Sequence, residues 1–468
     1  MNQFKNKDKK LIEKLKTNRP RVSINAISIN SVDQFIDTNF SDEFICIDSE
    51  IYNNKLYGVK LFRLKDNKKY YIPLDIINQI KFNESVKFIG FDFNSLLTKL
   101  KYNPITNFYW DCWIATKLLD ENIMSDDLVV VFNKYVNKDI ENNIDKLYEL
   151  YKFQYTIFQR PNLNRLYRLF EKIEMPCIKI LYDISCNGFL VDNNTINEKY
   201  RKYVSSDGKI HCKLNQYGSI TGRIYSSNPS IQNIKKEDRA MFIPNSGNCF
   251  ISSDFAQEEI RILASLSNDN NLINIFNDDR DPYAYIASLI FNKPYEQCMK
   301  PSSFREKAKV SLLSIIYGTG DIGLSKQLNC TMGAAKDIKN KILNLFPKVK
   351  EYIINTYNLV EKQKYVETLF GRKRRFHKVE SNREYRQAIN AIIQGTGADI
   401  LKIILIKLYK SEVLNKLNVK ILLPIHDEII FECPIVNKEE AKREIKNIME
   451  NTLNKYLQVT LKCDIVEL

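Results

Sequence analysis

The chain has 468 residues, 44% hydrophobic and 27% charged, with 14 Gly and 13 Pro; the length calls for two or three domains, and the composition excludes a disordered, collagen-like or low-complexity chain. Lys and Arg exceed Asp and Glu by 70 to 56, which favours an anionic partner such as nucleic acid but does not specify chemistry. Ten cysteines without a CxxC pair and only three histidines give a zinc framework little support and point to reduced thiols.

Residues 1–21 form a basic arm that also carries Asp8 and Glu13, which suits a solvated or phosphate-touching tail better than a transit peptide. No stretch reads as an uninterrupted apolar span, so no membrane partner is expected. The expected location is cytoplasmic, in a host's cytoplasm for a phage-encoded chain, with an organelle left open. Residues 43–48 and 57–64 read as strands, YYIPLD (70–75) and KFIGFD (87–92) follow, and helical periodicity begins near Asn94, together an α/β pattern. Apolar positions return at helical spacing from Arg160 to Ile184, until Asn187-Gly188 breaks the run. This places a domain boundary near Arg160. Residues 207–262 hold strand-like pieces and turn signals, 302–365 are mostly helical in period, and 418–432 resemble two strands flanking a polar tip.

Nucleotidyl transfer needs carboxylates for divalent metals and cations for a triphosphate. Asp254 ends the apolar run CFISSD, where a strand can project a carboxylate from a rigid sheet, and Asp427 lies at the tip of LLPIHDEIIFE. Between them Arg305, Lys309, Leu313 and Tyr317 recur every four residues, along one face of a helix. Taken singly, each is also what an ordinary strand end or polar helix face presents.

In order, these segments resemble the motifs of the family A, polymerase I-like DNA polymerases. Ser253 to Arg261 is similar to motif A, residues 304–318 (FREKAKVSLLSIIYG) to motif B and His426-Asp427-Glu428 to motif C. Further similar segments are TGRIYSSNPSIQNI (221–234), ETLFGRKRRF (367–376) and REYRQAINAIIQGTGADI (383–400). The resemblance implies an α/β, RNase H-like exonuclease domain at 22–160. An α+β right-hand polymerase domain follows at 161–468, with palm at about 161–275 and 400–468 and fingers at about 276–399.

The resemblance also implies roles. Asp254 and Asp427 would hold two Mg2+ ions per site, with Mn2+ able to substitute, and Glu428 would be a supporting acid. Gln257, Glu259, Arg305, Lys309, Leu313 and Tyr317 would meet the incoming dNTP, with Glu259 crowding the sugar's 2′ position. Arg223, Gln232, Asn233, Arg386, Asn390, Gln394 and His426 would hold primer-template DNA.

Departures from the family pattern carry expectations too. Leu313 replaces an aromatic residue, and Tyr283 stands where a histidine is common. Asp48 and Glu50 match the first exonuclease motif, but Leu96 falls where the second motif's Asp belongs and Tyr155 where the third motif's belongs, so little or no proofreading is expected. The competing reading makes Asp92 or Asp111 replacement ligands. Only residues 193–206 occupy the interval that holds the thumb in relatives, which implies low intrinsic processivity and a processivity factor as a partner. The sequence thus predicts a template-directed DNA polymerase. An active exonuclease, a nucleic-acid-binding protein without turnover and a weakly templated terminal extender are the alternatives.

Overall fold

The computed structural model describes residues 26–100, 104, 105 and 107–468; the basic arm at 1–21 lies outside them. The chain divides into two compact units, one running to Thr116 and including Met124–Ile157, the other formed by Lys117–Ile123 and Phe158–Leu468.

The first unit is built on a six-stranded sheet of β1 (Ile27–Ser28), β2 (Phe44–Tyr52), β3 (Lys55–Arg63), β4 (Lys68–Pro73), β5 (Lys87–Gly90) and β6 (Phe108–Asp111), in the order β1-β4-β3-β2-β5-β6. β2, β5 and β6 run parallel, and β3 is antiparallel to both neighbours. The run Ile45-Cys46-Ile47 is wholly buried, as a central strand covered on both faces must be. Asn53 and Asn54 both have positive φ, which lets two residues close the β2–β3 hairpin with the twist the strands need. Helices α1 (Phe93–Lys99) and α2 (Asn143–Phe158) belong to this unit's α/β layers.

The second unit carries helix α3 (Met175–Asn187), which follows shorter helical segments, and centres on a four-stranded antiparallel sheet of β7 (Asn248–Phe255), β8 (Lys420–Ile425), β9 (Glu428–Pro434) and β10 (Cys463–Glu467), ordered β8-β9-β7-β10. Between β7 and β8 the chain forms helices α4 (Glu258–Ser267), α5 (Pro282–Phe291), α6 (Ser303–Ile316) and α7 (Asn382–Tyr409); α8 (Lys438–Asn451) precedes β10. Ser253 is buried with its hydroxyl on Met449 of α8, 2.9 Å away. Alternation along β7 therefore turns Asp254 to the opposite, open face. Between Val191 and Lys209 the only helix is Glu198–Arg201.

α7 corrects one expectation. Its 28 residues are long and apolar enough to cross a membrane, but 78% of its apolar window is buried inside the unit, as in a core helix whose partners are protein. A capping box, Ser381 with Glu384, starts it.

That helix also carries a buried charge network. Lys402 is fully buried and donates to both oxygens of Glu174, at 2.8 and 3.0 Å, and to the Gln216 carbonyl at 3.2 Å. Arg372 donates to Asp399 at 2.6 and 2.9 Å, to the Tyr217 hydroxyl at 2.9 Å and also to Glu174. Burial opposes ionisation of Glu174, yet the Lys402 and Arg372 charges outweigh it and bring the carboxyl down to about 2. Two cations thus match two anions, and removing one strands its partner. Glu174→Gln is expected to lower the unfolding free energy of this unit by about 3–5 kcal/mol at pH 7. Because the folded pKa lies below the unfolded one, denaturant titrations should show the gap closing as pH falls from about 4.5 towards 2.

Candidate active site

Strand register assembles the carboxylates. Asp254, at the end of β7, lies directly opposite Glu428 on β9 and directly opposite Asp464 on β10. Residues so paired point to the same face with Cβ atoms roughly 5 Å apart, so three acids form a row across the sheet. Asp427 stands in the two-residue turn between β8 and β9, and its carbonyl accepts the Phe255 N–H at 3.2 Å. Asp254, Asp427 and Glu428 are therefore brought together as the sequence predicts, while Asp464 was missed. Its sequence signal, one acid in an otherwise ordinary last strand, is too weak to find.

Both turns beside the acidic row are strained. Gln257 and His426 adopt left-handed backbone, at φ 51° and 56°, a conformation that non-glycine residues keep only where surroundings enforce it. Gln257 starts α4, and His426 leaves Asp427 at the hairpin tip.

No Lys or Arg pairs with Asp254, Asp427, Glu428 or Asp464 among the described residues. Partial desolvation, then the charges of Asp427, Glu428 and Asp464, push the Asp254 carboxyl up to about 6. Glu258, the first residue of α4, is 8% exposed, and its Oε1 is buried without a hydrogen-bond partner. Burial, then Asp427's charge, pushes its carboxyl up to about 8. An acidic row with no Lys or Arg ion-paired to it among the described residues fits a hard divalent cation. Among the described residues no group of three or more His, Cys, Asp or Glu side chains is placed to hold a metal ion by itself. Mg2+ does not need one, because it keeps several waters and takes few protein carboxylates alongside phosphates.

The cationic side of the site comes from α6. Arg305 is buried, donating to Asp281 at 2.7 and 3.0 Å and to Glu306 at 3.1 Å, with its guanidinium 5.1 Å from the Tyr283 ring. Asp281 also caps α5 through the N–H groups of Tyr283 and Ala284. Lys309, one turn along α6, is half-buried and has no ion pair among the described residues. Leu313 packs against the main core. Tyr317 caps the C-terminus of α6 and donates its hydroxyl to Glu259, which also accepts from Arg223 at 3.3 Å. Gln394 of α7 hydrogen-bonds Tyr317 as well.

On α7, Arg386, Asn390 and Gln394 recur every four residues along one face. Arg386 is exposed, Asn390 half-buried with an unpartnered Oδ1, and His426 exposed at its turn. Asn233 is exposed and donates to the Ser230 hydroxyl. Gln232 differs from the expected DNA contact. It is buried, accepts from Ser226 N at 2.7 Å and donates to the Pro424 carbonyl at 2.7 Å, so its amide braces the strand leading to His426 and has little left to offer a ligand. The buried network supports this rim: a Cβ on Gly222, at φ 80°, would meet Arg372 Cζ at 2.6 Å, and one on Gly395 would meet Thr368 Cγ2 at 2.7 Å.

In the first unit Asp48 is cross-strand partner to Lys60, and the Lys60 ammonium forms a close ion pair with Glu50. Burial pushes the Asp48 carboxyl up to about 6, with the Ser49 N–H and Lys60 opposing. Leu96 is buried on α1, and Tyr155 packs on the Trp110 ring at 5.8 Å. Asp92 caps α1 through Ser95 N. Asp111 is fully enclosed and accepts the N–H groups of Asp92, Phe93, Trp113 and Ile114, a complete set of structural partners.

Residues 170–467 match the model of DNA polymerase family A. The chain is 33% identical over 371 residues to a DNA polymerase I of Caldicellulosiruptor bescii, covering 70% of this chain and 43% of that protein. It is 28% identical to the DNA polymerase I of Borreliella burgdorferi, covering 92% of this chain and 63% of the relative. That alignment spans 575 positions against 468 residues here, so more than a hundred positions of the relative face gaps. The chain thus spans less than two thirds of these relatives' length. The solved POL domain of Pol1 from M. smegmatis, in complex with DNA primer-template and dNTP, superposes with a TM-score of 0.81 at 18% identity, covering 94% of this chain and 98% of that one.

The orphaned Glu258 generates a test. Its folded pKa lies above the unfolded value, so it stabilises below about pH 4.5 and that contribution is lost as pH rises through about 8. In EDTA, denaturant unfolding should show Glu258→Gln more stable than wild type at pH 8, by about 2 kcal/mol, with the difference shrinking as pH falls and gone only below about pH 4.5.

Proposed function

The chain belongs to DNA polymerase family A, and we propose that it extends a primer 3′-hydroxyl on a DNA template with deoxynucleoside triphosphates. The observation that carries this reading is the unpaired acidic row at Asp254, next to Asp427 and reached from α6 through Tyr317 and Glu259. The palm would be the four-stranded sheet with its flanking helices, and the fingers would include α5 and α6.

Asp254 and Asp427, supported by Glu428, would hold two Mg2+ ions, whose chemistry is to acidify the 3′-hydroxyl and neutralise charge on the triphosphate and departing pyrophosphate. Lys309, with no ion pair among the described residues, would take a phosphate oxygen. Arg305 is held by Asp281 until a stronger anion competes for its guanidinium fork. Tyr317 would flank the nascent base pair with its hydroxyl fixed by Glu259, and Glu259, so fixed, would crowd a 2′-hydroxyl. Gln257 would hold its turn beside the triphosphate. Arg223, Asn233, Arg386, Asn390, Gln394 and His426 would line the primer-template near its terminus.

Two further features belong to the proposal. With only Glu198–Arg201 between Val191 and Lys209, little is available to grip duplex backbone, so processivity would be low without a partner. In the exonuclease-like unit, Lys60 supplies the positive charge at Glu50 that a metal would otherwise supply, and Leu96 and Tyr155 provide no carboxylate, so proofreading would be absent.

Extension of a labelled primer-template with Mg2+ and a DNA trap tests the first claim. Wild type should add template-matched nucleotides and stop within a few, and Asp254→Ala and Asp427→Ala should each fall by about a thousandfold or more. A wild type that binds DNA yet incorporates nothing would reject the reading. With a 3′-mismatched primer and no dNTP, neither wild type nor Asp48→Ala should shorten the strand; shortening by wild type alone would show that the exonuclease works.

A further inference from the structure

The basic run at 372–375 is committed inside the protein. Arg372 belongs to the buried network, and the next three cations lie on a strand, Lys373–Arg375, that pairs antiparallel with Tyr365–Glu367. Lys373 pairs with Glu367 at 3.2 Å, and Arg374 and Arg375 both pair with Glu121, at 3.5 and 2.7 Å. Glu121 is 4% exposed and also accepts the backbone N–H of Arg375. Arg374 donates to the Asn122 side chain at 2.5 Å, and Arg375 to the Leu118 carbonyl at 3.2 Å. All these acceptors lie in Lys117–Ile123, a short segment of the second unit whose flanking residues belong to the first. Lys117 closes the segment by donating to the Ile123 carbonyl. A buried carboxylate that satisfies two guanidinium groups and a backbone donor fixes all three in place.

What this contact holds is one side of α7. Val366 and Phe376, from the two arms of the hairpin, share a buried cluster with Ala388, Ala391 and Ile392 of α7. The hairpin turn is tied to the same helix, Thr368 donating to Asp399 at 2.8 Å and Leu369 N to the Thr396 hydroxyl at 3.1 Å. The helix that presents Arg386, Asn390 and Gln394 is thus seated on a hairpin that Glu121 clamps, and small misplacements of a binding face are costly. We infer that Glu121 is a positioning residue for primer-template binding, acting through Arg375 and the hairpin on the placement of Arg386, Asn390 and Gln394 without touching DNA itself. The inference rests on the polymerase reading and deepens it by naming a support of its DNA-binding face. The rival account makes Glu121 a mask that keeps Arg374 and Arg375 from DNA phosphates.

The sign of one substitution separates the two. Glu121→Gln keeps an acceptor for the Arg375 N–H but removes a negative charge, so unmasked arginines would tighten binding of a fluorescent primer-template to the full chain and steepen its salt dependence. Positioning predicts the reverse. Affinity should fall about three- to tenfold with an unchanged salt slope, while the single-nucleotide extension rate at saturating DNA and dNTP stays within about twofold of wild type. Glu121→Asp, which keeps the charge, should recover part of the loss. In an Arg386→Ala background the loss caused by Glu121→Gln should shrink, because both changes act on one binding face. Hydrogen exchange over residues 382–394 should be faster in Glu121→Gln than in wild type. Equal or tighter DNA binding by Glu121→Gln would overturn the inference. A wild type that binds DNA but extends no primer would reject the polymerase reading, and the affinity comparison would still decide the role of Glu121. A wild type that does not bind primer-template would overturn both.

Discussion

A slip of one residue in β7 would turn Asp254 towards α8 and Ser253 towards the open face, because successive side chains alternate. The pairing of β7 between β9 and β10 fixes the correct register, with Asp254 opposite both Glu428 and Asp464. Burial enforces it: Ile251, Ser253 and Phe255 are enclosed, so the apolar face holds the acidic face in place. The sheet accepts the repulsion this creates, and a bound cation would relieve it.

The rest of the site hangs from that register through buried polar contacts. Phe255 N holds the Asp427 turn to the end of β7, Gln232 braces Pro424, and Glu259 links α4 to Tyr317 and Arg223. Deeper still, Arg372 and Lys402 share Glu174 and fix the floor under Gly222 and Gly395. Buried ion networks are weak sources of net stability compared with apolar packing. Here the arrangement fixes where loops approach α7, and positional definition is the better account of its presence.

Much of this was legible in the sequence because the candidate site's side chains lie in short local patterns. The strand ending at Asp254, the two-strand reading around Asp427 and the four-residue spacing of Arg305, Lys309 and Tyr317 all follow from local periodicity. The place of Asp464 beside Asp254 did not, because it arises only from pairing with a strand more than two hundred residues earlier. Gln232 reads as a surface amide until burial and the Pro424 carbonyl claim it. Lys60 was hidden by a bulge. Counting back from the Asn53-Asn54 turn sets Asp48 opposite Val59, and the register shift between Glu50 and Ile51 moves the partner to Lys60. The apolar run in α7 escaped notice because charged residues interrupt it, one of them Lys402, which the core absorbs as an ion pair.

The most direct measurement is anomalous diffraction from crystals of the chain with a terminated primer-template, a matched dNTP and Mn2+. The account expects manganese peaks beside Asp254 and Asp427 and none between Asp48 and Glu50, where Lys60 already neutralises the charge. Manganese bound at Asp48 and Glu50, or a nucleotide seated with no metal at Asp254 and Asp427, would contradict it.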